Sequence, residues 1–148
     1  MAFPSTKDRV PANTAESINQ RLEREMLGRV QSYAARRDQI AARIGELESE
    51  WDIERMIEAN ASVLAFIGVV LGFFAHPYWL ALPALVTMFL FQHAVQGRCP
   101  PVPILRRLGF RTVYEIERER QALKAIRGDF AAVELATNKA AAAVAAAA

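Results

Sequence analysis

Cys99 is the residue best suited to covalent chemistry, and it is the single cysteine in a chain of 148 residues. One cysteine excludes an intramolecular disulfide, a CxxC redox pair and a cysteine-based zinc site. Arg98, Arg106 and Arg107 are close in the sequence, and nearby positive charge favours the thiolate. Cys99 is therefore a candidate reactive thiol that could carry a sulfane sulfur. The alternative is a small apolar residue that packs under a proline-rich turn.

No motif supports any other enzyme chemistry. The sequence has no Gly-rich phosphate loop, no HExxH and no GxSxG, which are signatures of nucleotide, zinc-protease and serine-hydrolase sites. We expect a protein that is not an enzyme and that uses no cofactor, no metal ion and no nucleic-acid partner.

A segment without charge occupies the middle of the chain. Residues 59–97 contain no Asp, Glu, Lys or Arg. As helix they would extend about 58 Å, close to two crossings of a ~30 Å hydrocarbon core. Pro77 disfavours helix in the residue before it, so we predict a transmembrane helical hairpin over 59–97 with its turn at 76–77. The alternative, a buried hairpin in a soluble bundle, is disfavoured because both arms are apolar around the whole helix.

The basic residues predict the orientation of this hairpin. Nine Lys and Arg residues precede the charge-free segment, nine follow it and the turn has none. The positive-inside rule then places both termini in the cytoplasm and the turn outside. Residues 1–15 lack the apolar stretch of a secretory signal, so we expect no targeting peptide there.

The N-terminal arm has the pattern of a long helix. Asn13 and Glu16 form a capping-box pattern, which predicts that residues 1–13 are disordered or extended and that 14–58 is one cytoplasmic amphipathic helix. Eight of its residues follow a heptad spacing, with one basic interruption: Met26, Val30, Tyr33, Arg37, Ile40, Ile44, Leu47 and Trp51. We expect this seam to bind a protein, which could be a second copy, another subunit or the C-terminal helix. The alternative is a helix that lies on the membrane or in solvent.

Small residues continue the same register into the first span. They are Ala61, Ala65, Gly68, Gly72 and Ala75. Such residues let helix backbones approach closely in lipid. The stripe could pack against another molecule or receive the second span of the same hairpin, and the sequence leaves both open.

Polar residues of both spans should reach a common depth near the cytoplasmic face. They are Glu58, Asn60, Ser62, Gln92, His93 and Gln96. This layer could hold a ligand, a quinone head or a proton path. We favour the alternative, a layer of interhelical hydrogen bonds, because polarity costs little near the headgroups.

The segment 98–112 is rich in proline and arginine, and its three prolines predict an extended, stiff conformation. Its arginines are expected to bind lipid headgroups: Arg98, Arg106, Arg107 and Arg111. Thr112 and Glu115 give a second capping box. It predicts a cytoplasmic amphipathic helix in the segment 113–130, running from about Val113 to Arg127 with Gly128 as its stop. Residues 131–148 form an Ala-rich tail of low complexity.

These residues carry a resemblance. The hairpin, followed by Gly97-x-Cys99-Pro100 and Leu108-Gly109-x-x-Thr112, resembles the YgaP-like transmembrane domain family. The charged and apolar entry at 53–57 is also similar. The resemblance implies a small multi-pass module of the bacterial inner membrane that is connected with sulfur metabolism. Members are often joined to a rhodanese domain, for which this chain has too few remaining residues.

Together these patterns predict an all-α membrane protein. Its expected role is a non-enzymatic anchor or accessory subunit that holds a protein partner, or a homo-oligomer, at the cytoplasmic membrane face in contact with membrane lipid. The alternatives are a sulfur-relay module that uses Cys99 as persulfide carrier, and a small oligomeric channel or exporter.

Overall fold

Helices are the only regular secondary structure over residues 5–147, which a computed structural model describes, leaving out the side chain of Glu134. Within this range there are eight α-helices and no β-strand. The helices are α1 (Glu16–Ala34), α2 (Ile40–Ser49), α3 (Ile53–Phe74), α4 (Ala81–Gln96), α5 (Val102–Arg107), α6 (Val113–Arg127), α7 (Ala131–Leu135) and α8 (Lys139–Ala147). The all-α class predicted from the sequence is confirmed.

Helices α3 and α4 form the predicted hairpin. Asp52 caps the start of α3, because its side chain accepts a hydrogen bond from the backbone N–H of Arg55 (2.7 Å). The helix ends before His76, whose extended backbone leads into a 3-10 turn over Pro77–Leu80. The break therefore falls at 76–77, where the proline predicted it. The helical stretches Arg37–Phe74 and Pro77–Gln96 are long and apolar enough to cross a membrane.

The chain divides into two compact units. Among the described residues, the first unit comprises 5–22 and 51–113. Beside the hairpin, it contains a buried cluster that draws on distant parts of the sequence: Val10, Ile53, Ile57, Val102 and Leu105. The hydrogen bond from the Ile53 N–H to the Arg111 carbonyl (2.8 Å) joins two of these parts. Segments that precede and follow the hairpin in the sequence therefore pack together in the first unit.

The N-terminal segment differs from its prediction. Residues 5–13 were predicted to be disordered or extended, but they form turns that bury Val10 and end in a 3-10 turn at Pro11–Asn13. Asn13 does not cap α1. Its Nδ2 donates to the carbonyl of Gln96 (2.7 Å), and Arg9 Nη1 donates to that of Ala94 (3.1 Å). These bonds satisfy carbonyls of the last turn of α4, which have no partner within the helix. Residues 1–4 of that prediction lie outside the described part.

The segment 98–112, predicted to be extended, contains a short helix, α5, over Val102–Arg107. Helix α5 has Pro101 at its cap and Pro103 in its first turn. A missing N–H costs nothing there because the first turn has no intrahelical acceptor. Val102 and Leu105 on α5 enter the buried cluster of the first unit. Their burial favours helix, since the pair then lies on one face.

The second unit comprises, within the described part of the chain, residues 23–50 and 114–147. Its core unites apolar residues from α2 and α6: Ile40, Ile44, Leu47, Ile116 and Leu123. Helix α6 runs from Val113 to Arg127 and is followed by Gly128 in a left-handed conformation (φ +97°). This end agrees with the predicted stop of the helix.

The single helix predicted over 14–58 is three helices. It is interrupted between Ala34 and Ile40 and again between Ser49 and Ile53. The first interruption accompanies the burial of Ile40, Ile44 and Leu47 against α6. Each buried side chain is worth about 1.5–3 kcal/mol, more than the ~1 kcal/mol of a lost backbone hydrogen bond. The second is fixed by the Asp52 cap.

The Ala-rich tail folds in its described part, 131–147, as α7 and α8. Two cations of α6 hold the end of α8. Arg120 Nη2 and Lys124 Nζ both donate to the carbonyl of Ala147, at 2.9 and 3.0 Å. Positive charge at a helix C-terminus is favourable because that end carries partial negative charge.

Candidate functional site

The hairpin exposes large aromatic side chains on its outer surface. Phe66, Phe73, Phe74 and Phe91 are exposed by 70, 82, 79 and 71%. Exposed apolar surface of this extent marks an interaction site. Together with the length and hydropathy of the two helices, it suggests association with a membrane.

The small-residue stripe lies partly inside the hairpin itself. Gly68 and Gly72 are buried. An ideal Cβ at Gly68 would lie 2.5 Å from Pro83 Cδ, and one at Gly72 would lie 2.6 Å from Leu80 Cδ2. The stripe therefore packs against later residues of the same chain, tightly at Gly68, where the Pro83 ring is rigid, and less so at Gly72, where the Leu80 side chain is flexible. Of the other predicted members, Ala61 and Ala65 are half-buried and Ala75 is exposed.

The polar layer does not form the predicted interhelical hydrogen bonds at its α3 positions. Asn60 Nδ2 donates to the Met56 carbonyl (2.8 Å), and Ser62 Oγ donates to the Glu58 carbonyl (2.7 Å). Both bonds stay within α3, because the carbonyl four residues earlier is the nearest acceptor for a short side chain. His93 on α4 is buried, and neither ring nitrogen has a hydrogen-bond partner among the described residues.

Cys99 does not have the environment of an activated thiol. It is half-buried and packs against the apolar cluster of the first unit. Burial raises the pKa of its thiol, because removal from water disfavours the thiolate. This is opposite to the lowering expected from the neighbouring arginines. In the described part of the chain, no group of three or more His, Cys, Asp or Glu could hold a metal ion.

Two of the four arginines assigned to lipid headgroups are buried. Arg106 is 0% exposed and Arg111 is 4% exposed. Arg106 donates to Asn19 Oδ1 (3.0 Å) and to the carbonyl of Phe110 (3.3 Å). These two side chains therefore stabilise the first unit and do not reach lipid. Arg98 and Arg107 are exposed, and for these two the binding of lipid headgroups stays a prediction.

The heptad seam is largely used inside the chain. Ile40, Ile44 and Leu47 are buried in the core of the second unit, where α6 covers them. This is one of the three partners considered for the seam. Met26 is also buried, Val30 and Tyr33 are half-buried, and Trp51 is exposed.

A buried carboxylate in the second unit was missed from the sequence. Glu119 on α6 is 0% exposed. It pairs with Arg29 (Nη2–Oε2, 3.0 Å) and with Arg43 (Nη2–Oε1, 3.0 Å). Its spacing from Ile116 and Leu123 already places it on the apolar face of α6. A charge on such a face is a signal for a buried ion pair.

Two cavities adjoin at the end of the hairpin where the chain leaves α4. The first, about 250 Å³, lies between α3 and α4; this apolar cavity is lined by residues that include Ile57, Asn60, Ala61, Leu64, Val86 and Leu90. The second, about 330 Å³, has three polar residues in its lining, Asn13, Gln92 and Arg98, beside apolar ones; we call it the polar cavity. Phe89, Cys99 and Pro100 border both.

The site is defined by the geometry and chemistry of this chain alone. No family model matches this chain, and comparisons with curated proteins and with solved structures find no match. Membership of the YgaP-like family stays a prediction from the sequence.

Proposed function

We propose that this chain is a two-span protein of the bacterial inner membrane that acts as a non-enzymatic anchor or accessory subunit. The observation that carries the proposal is the contrast between its two kinds of surface. The hairpin exposes Phe66, Phe73 and Phe91, as a lipid-facing surface does. The second unit instead holds a buried carboxylate between two arginines and has the ordinary core of a water-soluble helical unit.

The proposed orientation places both termini in the cytoplasm. Arg55 and Arg98, which flank the hairpin at the ends of its arms away from the turn, are exposed basic side chains. The turn over Pro77–Leu80 carries no basic residue. Positive charge is retained on the cytoplasmic side during insertion, which supports a turn that faces outward.

An anchor is favoured over a sulfur relay by the state of Cys99. A relay needs a thiolate that attacks sulfane sulfur, whereas burial raises the pKa of this thiol. A link with sulfur metabolism rests on the sequence resemblance alone. An anchor needs a folded unit on the cytoplasmic side, and the second unit has its own core.

The partner surface is proposed to lie on the exposed apolar side chains of the second unit. They are Leu27, Tyr114, Leu135 and Val144. The buried seam residues Ile40, Ile44 and Leu47 are excluded, because α6 already covers them. A partner that covers Leu27 would gain a binding free energy of about 25 cal/mol for each Å² of apolar surface removed from water.

The first experiment tests membrane insertion and orientation. Reporter fusions after Glu50 and after Phe130 should both report cytoplasm, and a fusion after His76 should report the outer side. The chain should stay with membranes after alkaline carbonate washing. An outward signal from either terminal fusion, or release by carbonate, contradicts the proposal.

The second experiment tests the anchor role. The chain is purified from crosslinked cells in mild detergent, and bound proteins are identified by mass spectrometry. Leu27→Glu should reduce recovery of the bound protein, whereas Ser32→Glu, at an exposed position about 140° around α1 from Leu27, should not. A chain that recovers no protein, not even a second copy, is not an anchor.

A further inference from the structure

The apolar and polar cavities are parts of one amphipathic site. The apolar cavity lies between the two arms of the hairpin, and the polar cavity lies where the chain emerges from α4. Phe89, Cys99 and Pro100 form walls of both. A molecule with an apolar chain and a polar head could occupy both at once.

Arg98 supplies the charge at the polar end of this site. Its side chain is exposed, and Nε donates to Asn13 Oδ1 (2.8 Å). Within the described part of the chain no carboxylate pairs with its guanidinium. The bond to Asn13 uses one nitrogen and leaves the two terminal nitrogens for an anion. A guanidinium presents this pair in the planar geometry that matches phosphate oxygens.

Asn13 and Gln92 fix the surroundings of this charge. Asn13 Nδ2 donates to the carbonyls of Arg9 and Gln96, both at 2.7 Å, so the amide is held and its oxygen points to Arg98. Gln92 is half-buried on α4 and lines the same cavity. Its amide is a neutral donor for ester or glycerol oxygens. The site thus offers a positive group flanked by a donor.

We propose that this site binds one anionic phospholipid, with the phosphate on Arg98 and one acyl chain in the apolar cavity. Basic pockets beside membrane helices on the cytoplasmic side bind such headgroups. A soluble phosphate would use only the polar cavity, and a zwitterionic lipid would bring its own cation to the phosphate. The inference rests on the proposed insertion in the membrane.

The test is native mass spectrometry of the full chain in mild detergent. Added lipids are phosphatidylglycerol or phosphatidylcholine of equal chain length, and glycerol phosphate provides the headgroup without chains. We expect one phosphatidylglycerol per chain, held at least tenfold more tightly than either of the others. Arg98→Gln should weaken it by about tenfold, because it removes a charge-assisted bond. Arg107→Gln, which removes an exposed arginine outside both cavities, should change it less than twofold.

A second pair of variants tests the apolar cavity. Ala61→Leu places a larger side chain in its wall and should weaken phosphatidylglycerol about tenfold. Ser62→Leu makes a similar change at an exposed position next to it and should have no effect. The proposed site is wrong if Arg98→Gln and Arg107→Gln change the affinity for phosphatidylglycerol equally, or if Ala61→Leu does not change it. It is also wrong if glycerol phosphate binds as tightly as the lipid. Release from membranes by carbonate would instead refute the proposed insertion, so the two failures are distinguishable.

Discussion

Replacing glycine by alanine should have opposite effects at two helical positions of this chain. At Gly45 on α2, no atom lies within 4 Å of an ideal Cβ. Alanine should therefore stabilise the helix by about 0.5–1 kcal/mol, because it reduces the conformational freedom of the unfolded chain. At Gly68 on α3 the same Cβ meets Pro83 Cδ at 2.5 Å, Leu82 Cβ at 3.1 Å and the Trp79 carbonyl oxygen at 3.2 Å.

The expected cost at Gly68 follows from these distances. Carbon atoms in contact prefer about 3.5–4.0 Å, so the Pro83 ring must move away by roughly 1 Å. A proline ring cannot rotate out of the way, and the two arms of the hairpin must separate. Overpacking of this kind costs about 1–3 kcal/mol. The helix-propensity gain offsets part of it, so Gly68→Ala should destabilise the hairpin by about 1–2 kcal/mol.

The assay is thermal unfolding of the full chain in one detergent, followed by circular dichroism. For a chain of this length, 1 kcal/mol shifts Tm by about 3 °C, so Gly45→Ala should raise Tm by about 2–3 °C and Gly68→Ala should lower it by about 3–6 °C. Gly72→Ala should lie between them, because its neighbour is the flexible end of Leu80. If Gly68→Ala is as stable as Gly45→Ala, the stripe does not contact the second arm and the packing argument is wrong.

Further predictions concern one ion pair, one thiol and one turn. Glu119→Gln should lower stability by about 3 kcal/mol, because it removes the charge of a fully buried carboxylate that Arg29 and Arg43 share. Glu46→Gln, which breaks a more exposed pair with the same Arg43, should cost less than about 1 kcal/mol, and chemical unfolding of both variants measures the difference. Burial raises the pKa of the Cys99 thiol, so at pH 8 less of it is thiolate than in a free cysteine. Iodoacetamide should therefore label Cys99 more slowly in the folded than in the unfolded chain, and the labelling rate should keep rising as the pH passes the ordinary cysteine pKa of about 8.5. Equal labelling rates in the two states would contradict this. Gly97→Ala should expose residues 5–13 to limited proteolysis, because Gly97 has φ +72° and a Cβ there would collide with the N-terminal segment.

The hairpin could be predicted because its signals are local. The absence of charge over 59–97 and the position of Pro77 are visible without any knowledge of packing. The end of α6 at Gly128 was predictable for the same reason. Each depends on the backbone preference or hydropathy of residues that are adjacent in the chain.

Interactions between distant residues could not be predicted in this way. Arg9 bonds to Ala94, 85 residues later, and nothing near Arg9 in the sequence indicates that acceptor. The heptad spacing gave the right apolar residues for α2 but left three partners open, the C-terminal helix among them, because periodicity does not determine what covers a face. The break before Ile40 depends on the contact with α6 and was missed.

The second unit has a consequence for synthesis on the ribosome. Arg43 and Glu119, which meet in it, are 76 residues apart, and both arms of the hairpin lie between them. At a synthesis rate of about 5–20 residues per second, Glu119 is added about 4–15 seconds after Arg43. During that time Ile40, Ile44 and Leu47 have no α6 to bury them, and the nascent chain presents them to chaperones or to other nascent chains. A chain stopped after α4 would keep that face uncovered permanently, so the second unit can fold only in chains whose second arm has been completed.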